Sequence, residues 1–166
     1  MFRNIEDFQT AWSYEAEMTG KTMLNLTDES LKTKVNEDGR TLGYLGWHLA
    51  ITLGEMLGKV GLTIDAPAED AECSTSAAEI ARLYGIAGKS VGEEVEKNWT
   101  AETLLIEDDM YGETWSRGNT LFYMIAHQAH HRGQMTVLMR QAGLRVPGIY
   151  GPAREEWAAF GQEPLP

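Results

Sequence analysis

Four stretches of the chain repeat apolar residues at the interval of an α-helix, separated by segments rich in polar residues, glycine or proline. In the first, residues 4–26, Ile5, Phe8, Trp12, Glu15, Thr19, Met23 and Leu26 fall near one side, and Phe8, Trp12 and Met23 supply most of the bulk. Asn4 is placed to cap this helix, with Glu6 and Asp7 suited to the positive end of its dipole. The second, residues 41–60, opens on Thr41 as cap and carries a stripe of Leu42, Leu45, His48, Leu49, Thr52, Leu53, Met56 and Val60. Ser76 followed by Glu79 is a capping-box signature for a third helix over residues 76–97, whose narrow stripe of Ile80, Leu83, Tyr84, Ala87, Val91 and Val95 suits packing. The fourth, residues 119–142, turns Leu121, Met124, His127, His131, Met135, Leu138 and Ala142 inward and stops at Gly143.

Between these lie a polar link through residues 27–39 and a loop over residues 61–75 that contains Pro67 and several acids. Over residues 98–117 the periodicity lapses, and Glu107, Asp108 and Asp109 read as a solvated acidic loop within a long ordered connection. The tail, residues 143–166, is rich in turns and holds a short helical piece around residues 155–160. Ile149, Tyr150, Trp157 and Phe160 are too apolar to lie free in water, so the tail is expected to pack across the helices. The pattern is therefore all-α, and a length of 166 residues suits a single domain, residues 1–166, with a core that needs no disulfides.

Charge and composition narrow the partners. The net charge of −11, from 14 basic and 25 acidic residues, opposes nucleic-acid binding, which depends on lysine and arginine neutralising phosphates. No run approaches the ~20 apolar residues of a membrane span, and the start, Met1 to Asp7, lacks the basic and apolar regions of a signal peptide. Cytoplasmic localisation is the expectation, in keeping with a lone cysteine, Cys73. The acidic neighbours Asp70 and Glu72 argue against a reactive thiolate there.

The chemistry concentrates in the histidines. His127 and His131 are one turn apart, about 40° around the axis, so both imidazoles can face one point. His48 is in line with large apolar residues of another helix and can supply a third donor. Three neutral nitrogens with an open position describe a catalytic rather than a structural metal centre, and imidazole suits zinc, nickel, iron and copper. Core or surface histidines are the plainer alternative. Where metalloproteases carry a glutamate after the first histidine, this chain has Gln128, which cannot accept a proton at neutral pH. Thr52, Glu55, Gln128 and His130 are candidates to support the ligands from behind.

One histidine on the second helix, the run His130-His131-Arg132-Gly133-Gln134 on the fourth, and a Pro-Gly-Ile-Tyr-Gly-Pro tail over residues 147–152 together resemble the DinB/YfiT-like metalloproteins across nearly the whole chain. The resemblance implies an up-down-down-up four-helix bundle, often a homodimer, with a divalent transition metal, zinc or nickel, held by His48, His127 and His131 in an open cleft. It further implies a metal-dependent thiol S-transferase similar to bacillithiol S-transferases, in which a low-molecular-weight thiol attacks an electrophilic small molecule. A metal-dependent hydrolase and a non-catalytic dimeric metal-binding stress protein are the alternatives.

Overall fold

The computed structural model describes residues 2–164; Met1 and the last two positions of the predicted tail, Leu165 and Pro166, lie outside them. Four helices dominate: α1 (Ile5–Met23), α2 (Leu42–Gly58), α3 (Ala77–Asn98) and α4 (Arg117–Gln141). Each begins at a side chain that accepts a hydrogen bond from the first turn, Asn4 from Asp7 N, Thr41 from Tyr44 N, Ser76 from Glu79 N and Ser116 from Asn119 N. The capping box at α3 is only half formed, because the Glu79 carboxylate pairs with Arg82. Past the end of α4, Gly143 adopts φ 73°, the left-handed conformation that lets a chain leave a helix.

The helices form a ring in which α1 and α2 each pack against both α3 and α4. Trp12 donates its indole N–H to Gly88 O and Gln9 its amide to Gly92 O, so α1 and α3 run antiparallel. The loop after α2 returns along that helix, with Trp47 bonded to Ala71 O and Asp65 N to Ser90 Oγ, and delivers α3 parallel to α2. Contacts of Gly46 with Met135 and of Leu49 with Gln128 make α4 antiparallel to α2. This is the up-down-down-up bundle. Gly46 permits the α2–α3 approach, since a Cβ there would come within 3.2 Å of Ile80. Phe8, Trp12, Leu42, Leu49, Leu53, Ile80, Tyr84, Leu121, Met124 and Met135 fill the centre.

The segment expected as an acidic loop is a β-hairpin, β1 (Glu107–Met110) paired antiparallel with β2 (Glu113–Ser116). Its turn places Tyr111 at φ 60° and Gly112 at φ 84°, the left-handed pair that matches the twist of two strands. Four-residue strands leave too few positions for the alternation of a strand to show in the sequence. The Asp108 carboxylate pairs with Arg117 at 2.8 Å, so it serves the junction of hairpin and helix.

The tail packs on α1 and α4 as far as Tyr150, with Val146 buried and Leu144 against the core. The expected burial fails for Tyr150 and Phe160, which are 69% and 67% exposed: Tyr150 is held by its hydroxyl on Glu15 and Arg132, and Arg154–Phe160 is a short 3-10 helix without a buried residue. Trp157 is half-buried.

Candidate metal centre

Helices α2 and α4 cross so that His48 meets His127 and His131. The Nε2 atoms of His48 and His127 are 3.1 Å apart, and the ring centroids lie 5.0 Å (His48–His127), 4.8 Å (His48–His131) and 4.5 Å (His127–His131) from one another. One ligand atom from each residue lies within 4.8 Å of the others, making a group that can hold a metal ion. Two nitrogens bound to one cation at 2.0–2.1 Å stand about 2.9–3.4 Å apart for octahedral to tetrahedral angles, and the observed separation falls in that range. The donor set therefore fits a divalent transition metal. Among the described residues no carboxylate joins the group.

The packing also sets the protonation state. Burial pushes His48 down from 6.5 to about 4, helped by the charges of His131 and Arg40 and opposed by Glu55. Burial likewise pushes His127 to about 4, with His131 and His48 acting in the same direction. His131 is lowered by burial, partly offset by its hydrogen bond to Gln134. All three imidazoles are neutral at pH 7, the form that ligates.

Gln134 fixes the third donor. Its Oε1 accepts from His131 Nδ1 at 2.7 Å, which leaves Nε2 of that ring as the lone-pair nitrogen. The Gln134 amide nitrogen lies 3.1 Å from Nε2 of the exposed His130, so His130 reaches the group through Gln134. Tyr44, one turn before His48, stacks on its ring at 5.8 Å and 11°. The other expected supports hydrogen-bond elsewhere. Thr52 donates to His48 O within its own helix. Glu55 accepts from the Tyr111 hydroxyl at 2.7 Å and pairs with Lys59 at 3.3 Å. Gln128 is fully buried and donates to Leu49 O at 3.2 Å, tying α4 to α2.

Gln134 stood in the sequence three residues after His131, within reach on a helix, yet the sequence reading gave it no role. Replacing it with alanine is expected to weaken zinc binding about 10- to 100-fold, measured by competition with a chromophoric chelator, while Gln134→Glu retains it. Unchanged affinity in the alanine variant would remove Gln134 from the site. Cys73 plays no part in it; its thiol is pushed up, as expected, but by burial.

A bundle whose helices α2 and α4 present three convergent imidazoles defines the class of protein. Residues 1–165 match the DinB family, and the chain belongs to it. It is 46% identical over 163 residues, 98% of each chain, to a Bacillus subtilis (strain 168) protein named "Uncharacterized protein YrdA". Among solved structures it is similar to a DinB-like protein from Bacillus cereus ATCC 10987, with a TM-score of 0.87 and 40% identity over 90% of this chain and 100% of the other. The DinB-like protein YjoA of Bacillus subtilis, at 15% identity and a TM-score of 0.68 over 88% of this chain and 99% of the other, shares the fold alone.

Proposed function

We propose that this protein is a metal-dependent thiol S-transferase in which His48, His127 and His131 hold zinc or nickel. The observation that carries the reading is the convergence of three neutral imidazoles from two helices, with a 3.1 Å contact between two of their nitrogens. A divalent cation held there would acidify a coordinated low-molecular-weight thiol, making its sulfur available as a thiolate at neutral pH.

The chain's own residues prepare that chemistry. The surrounding apolar helix faces keep protons off the imidazoles, and Gln134 aims the His131 lone pair. Gln128 locks α2 against α4, so the donors on the two helices stay in register. The transfer forms a carbon–sulfur bond, expels the acceptor's leaving group and releases the thiol proton to solvent, so it needs no side-chain base. Hydrolases built on His-x-x-x-His carry a glutamate as general base. Here that position is Gln128, and the acid whose charge reaches His48, Glu55, is engaged by Tyr111 and Lys59.

The test is conjugation of a chlorinated aromatic acceptor by a panel of thiols that includes bacillithiol. Zinc- or nickel-loaded protein is expected to form the thioether only when thiol is present, and chelation should abolish it. Turnover of an ester or amide with water, undiminished after all thiols are removed, would replace this reading with the hydrolase.

A further inference from the structure

Beside the histidines lies a cavity of about 330 Å³ whose walls are mostly apolar, with Val35, Leu45, Val137 and Leu138 contributing. Two polar side chains share it. Gln134 lines the cavity and also bonds His131, so the cavity is joined to the candidate metal centre through that side chain. Arg40 lines it from the loop before α2, which is closed by Leu42 N bonding Thr33 O at 2.8 Å.

Arg40 brings an uncommitted positive charge to this cavity in a chain where acids outnumber bases 25 to 14. Among the described residues its guanidinium, like those of Arg145 and Arg154, makes no ion pair and no hydrogen bond, whereas Arg3, Arg82, Arg117, Arg132 and Arg140 each pair with a carboxylate; of the three unpaired arginines only Arg40 lines the cavity. It lies over the Tyr44 ring, 5.1 Å from the centroid, and Tyr44 in turn stacks on His48. Cation–π attraction to the ring uses none of the guanidinium N–H donors as hydrogen bonds, so they stay free for a planar anion. Its positive charge is felt at all three imidazoles, which places it on the side of the bundle where they converge.

We infer that this cavity is the acceptor subsite and that Arg40 selects a small molecule with an apolar body and a carboxylate, holding the anion at its free edge while the body lies on Val35, Leu45 and Val137. The inference deepens the proposed function and rests on it for the word acceptor; the recognition of the anion stands on the cavity and Arg40 alone. A carboxylate suits the edge because it can accept two parallel N–H bonds, and a neutral amide cannot replace both.

The experiment titrates the full-length protein with phenylacetate and with its neutral amide, phenylacetamide, by ligand-observed NMR, once loaded with zinc and once after chelation. Phenylacetate is expected to bind about 2- to 5-fold more tightly than the amide in both states, the worth of an ion pair to the exposed Arg40. Arg40→Gln should erase that preference and Arg40→Lys restore part of it. Val137→Trp, at an exposed helix position, should block both ligands by filling the cavity. Equal binding of acid and amide, an unchanged preference in Arg40→Gln, or a preference that vanishes with the metal would each overturn the inference. Absence of thiol transfer would leave these titrations untouched, so the two readings fail separately.

Discussion

Protein carrying His127→Ala is expected to bind zinc on the order of a hundredfold to a thousandfold more weakly than the parent chain, and His48→Ala and His131→Ala should do the same. Structural zinc sites with four ligands contribute about 10–16 kcal/mol, so one ligand is worth about 2.5–4 kcal/mol. His48 and His127 are only half-buried, so those two truncations leave no large void and the helices should persist, while His131 is buried and its variant needs a check by circular dichroism. His130→Ala is the internal control. Its ring is exposed, packs edge-on against His131 with centroids 4.8 Å apart and reaches Gln134, but offers no nitrogen to the group, so its loss should cost tenfold or less. Acid sets a second signature. Because burial holds all three imidazoles below the usual 6.5, protons compete with the cation only below that value, and the parent chain should keep its metal as the pH falls through 6.5 and lose it at lower pH. Elemental analysis returning equal metal across all four variants would refute the assignment.

The second large effect is on stability. Arg132 is the residue after His131, yet it points into the opposite interface, where it is 1% exposed. Its guanidinium reaches Glu15 Oε2 at 2.7 Å, Glu15 O at 3.2 Å, Thr19 Oγ1 at 2.9 Å and the Tyr150 hydroxyl at 2.6 Å. The Tyr150 hydroxyl also donates to the Glu15 carboxylate at 2.8 Å, closing a triangle that ties α1, α4 and the tail together. Tyr14 adds a hydrogen bond to Ile149 O and a stacked ring 6.2 Å from that of Tyr150. Removing one partner strands the other as a buried charge, so Arg132→Ala is expected to cost about 3–5 kcal/mol. For a chain of this size that is a fall in Tm of roughly 6–20 °C. Replacing both partners with apolar residues, Arg132→Met with Glu15→Leu, should cost far less, because no uncompensated charge remains. Thermal unfolding checks both, and a single variant that melts within about 2 °C of the parent would show that the triangle adds nothing.

This buried triangle explains residues that periodicity alone left without a reason. Glu15 and Thr19 sit on the inner stripe of α1 among Phe8, Trp12 and Met23, where a carboxylate and a hydroxyl look misplaced. Their partner is about 115 residues away in the chain, and no local pattern announces a contact of that range. The Arg132 of the His-His-Arg-Gly-Gln run thus ties α4 to α1 and the tail, while its neighbour His131 faces the three-histidine group. Tyr150 in the tail is likewise explained by its hydroxyl and not by burial of its ring, which is 69% exposed.

The sequence by itself determined the four helices and the caps Asn4, Thr41, Ser76 and Gly143, because turn periodicity and capping are local physics read over a few residues. The α4 cap Ser116 is missed, since the periodicity begins the fourth stretch at Asn119. It also determined that His127 and His131 share one face of a helix, since 3.6 residues per turn fixes that angle wherever the helix lies. Only the tertiary structure decided that His48 meets them, within hydrogen-bond distance of His127, that Gln134 rather than Gln128 supports the group, and that Arg40 stands unpaired at a cavity next to it. Those outcomes depend on how α2 and α4 are rotated against each other. That rotation is set by the fit of Leu49, Met135, Gly46 and Ile80 in the shared core, and the spacing of residues within one helix carries no record of it.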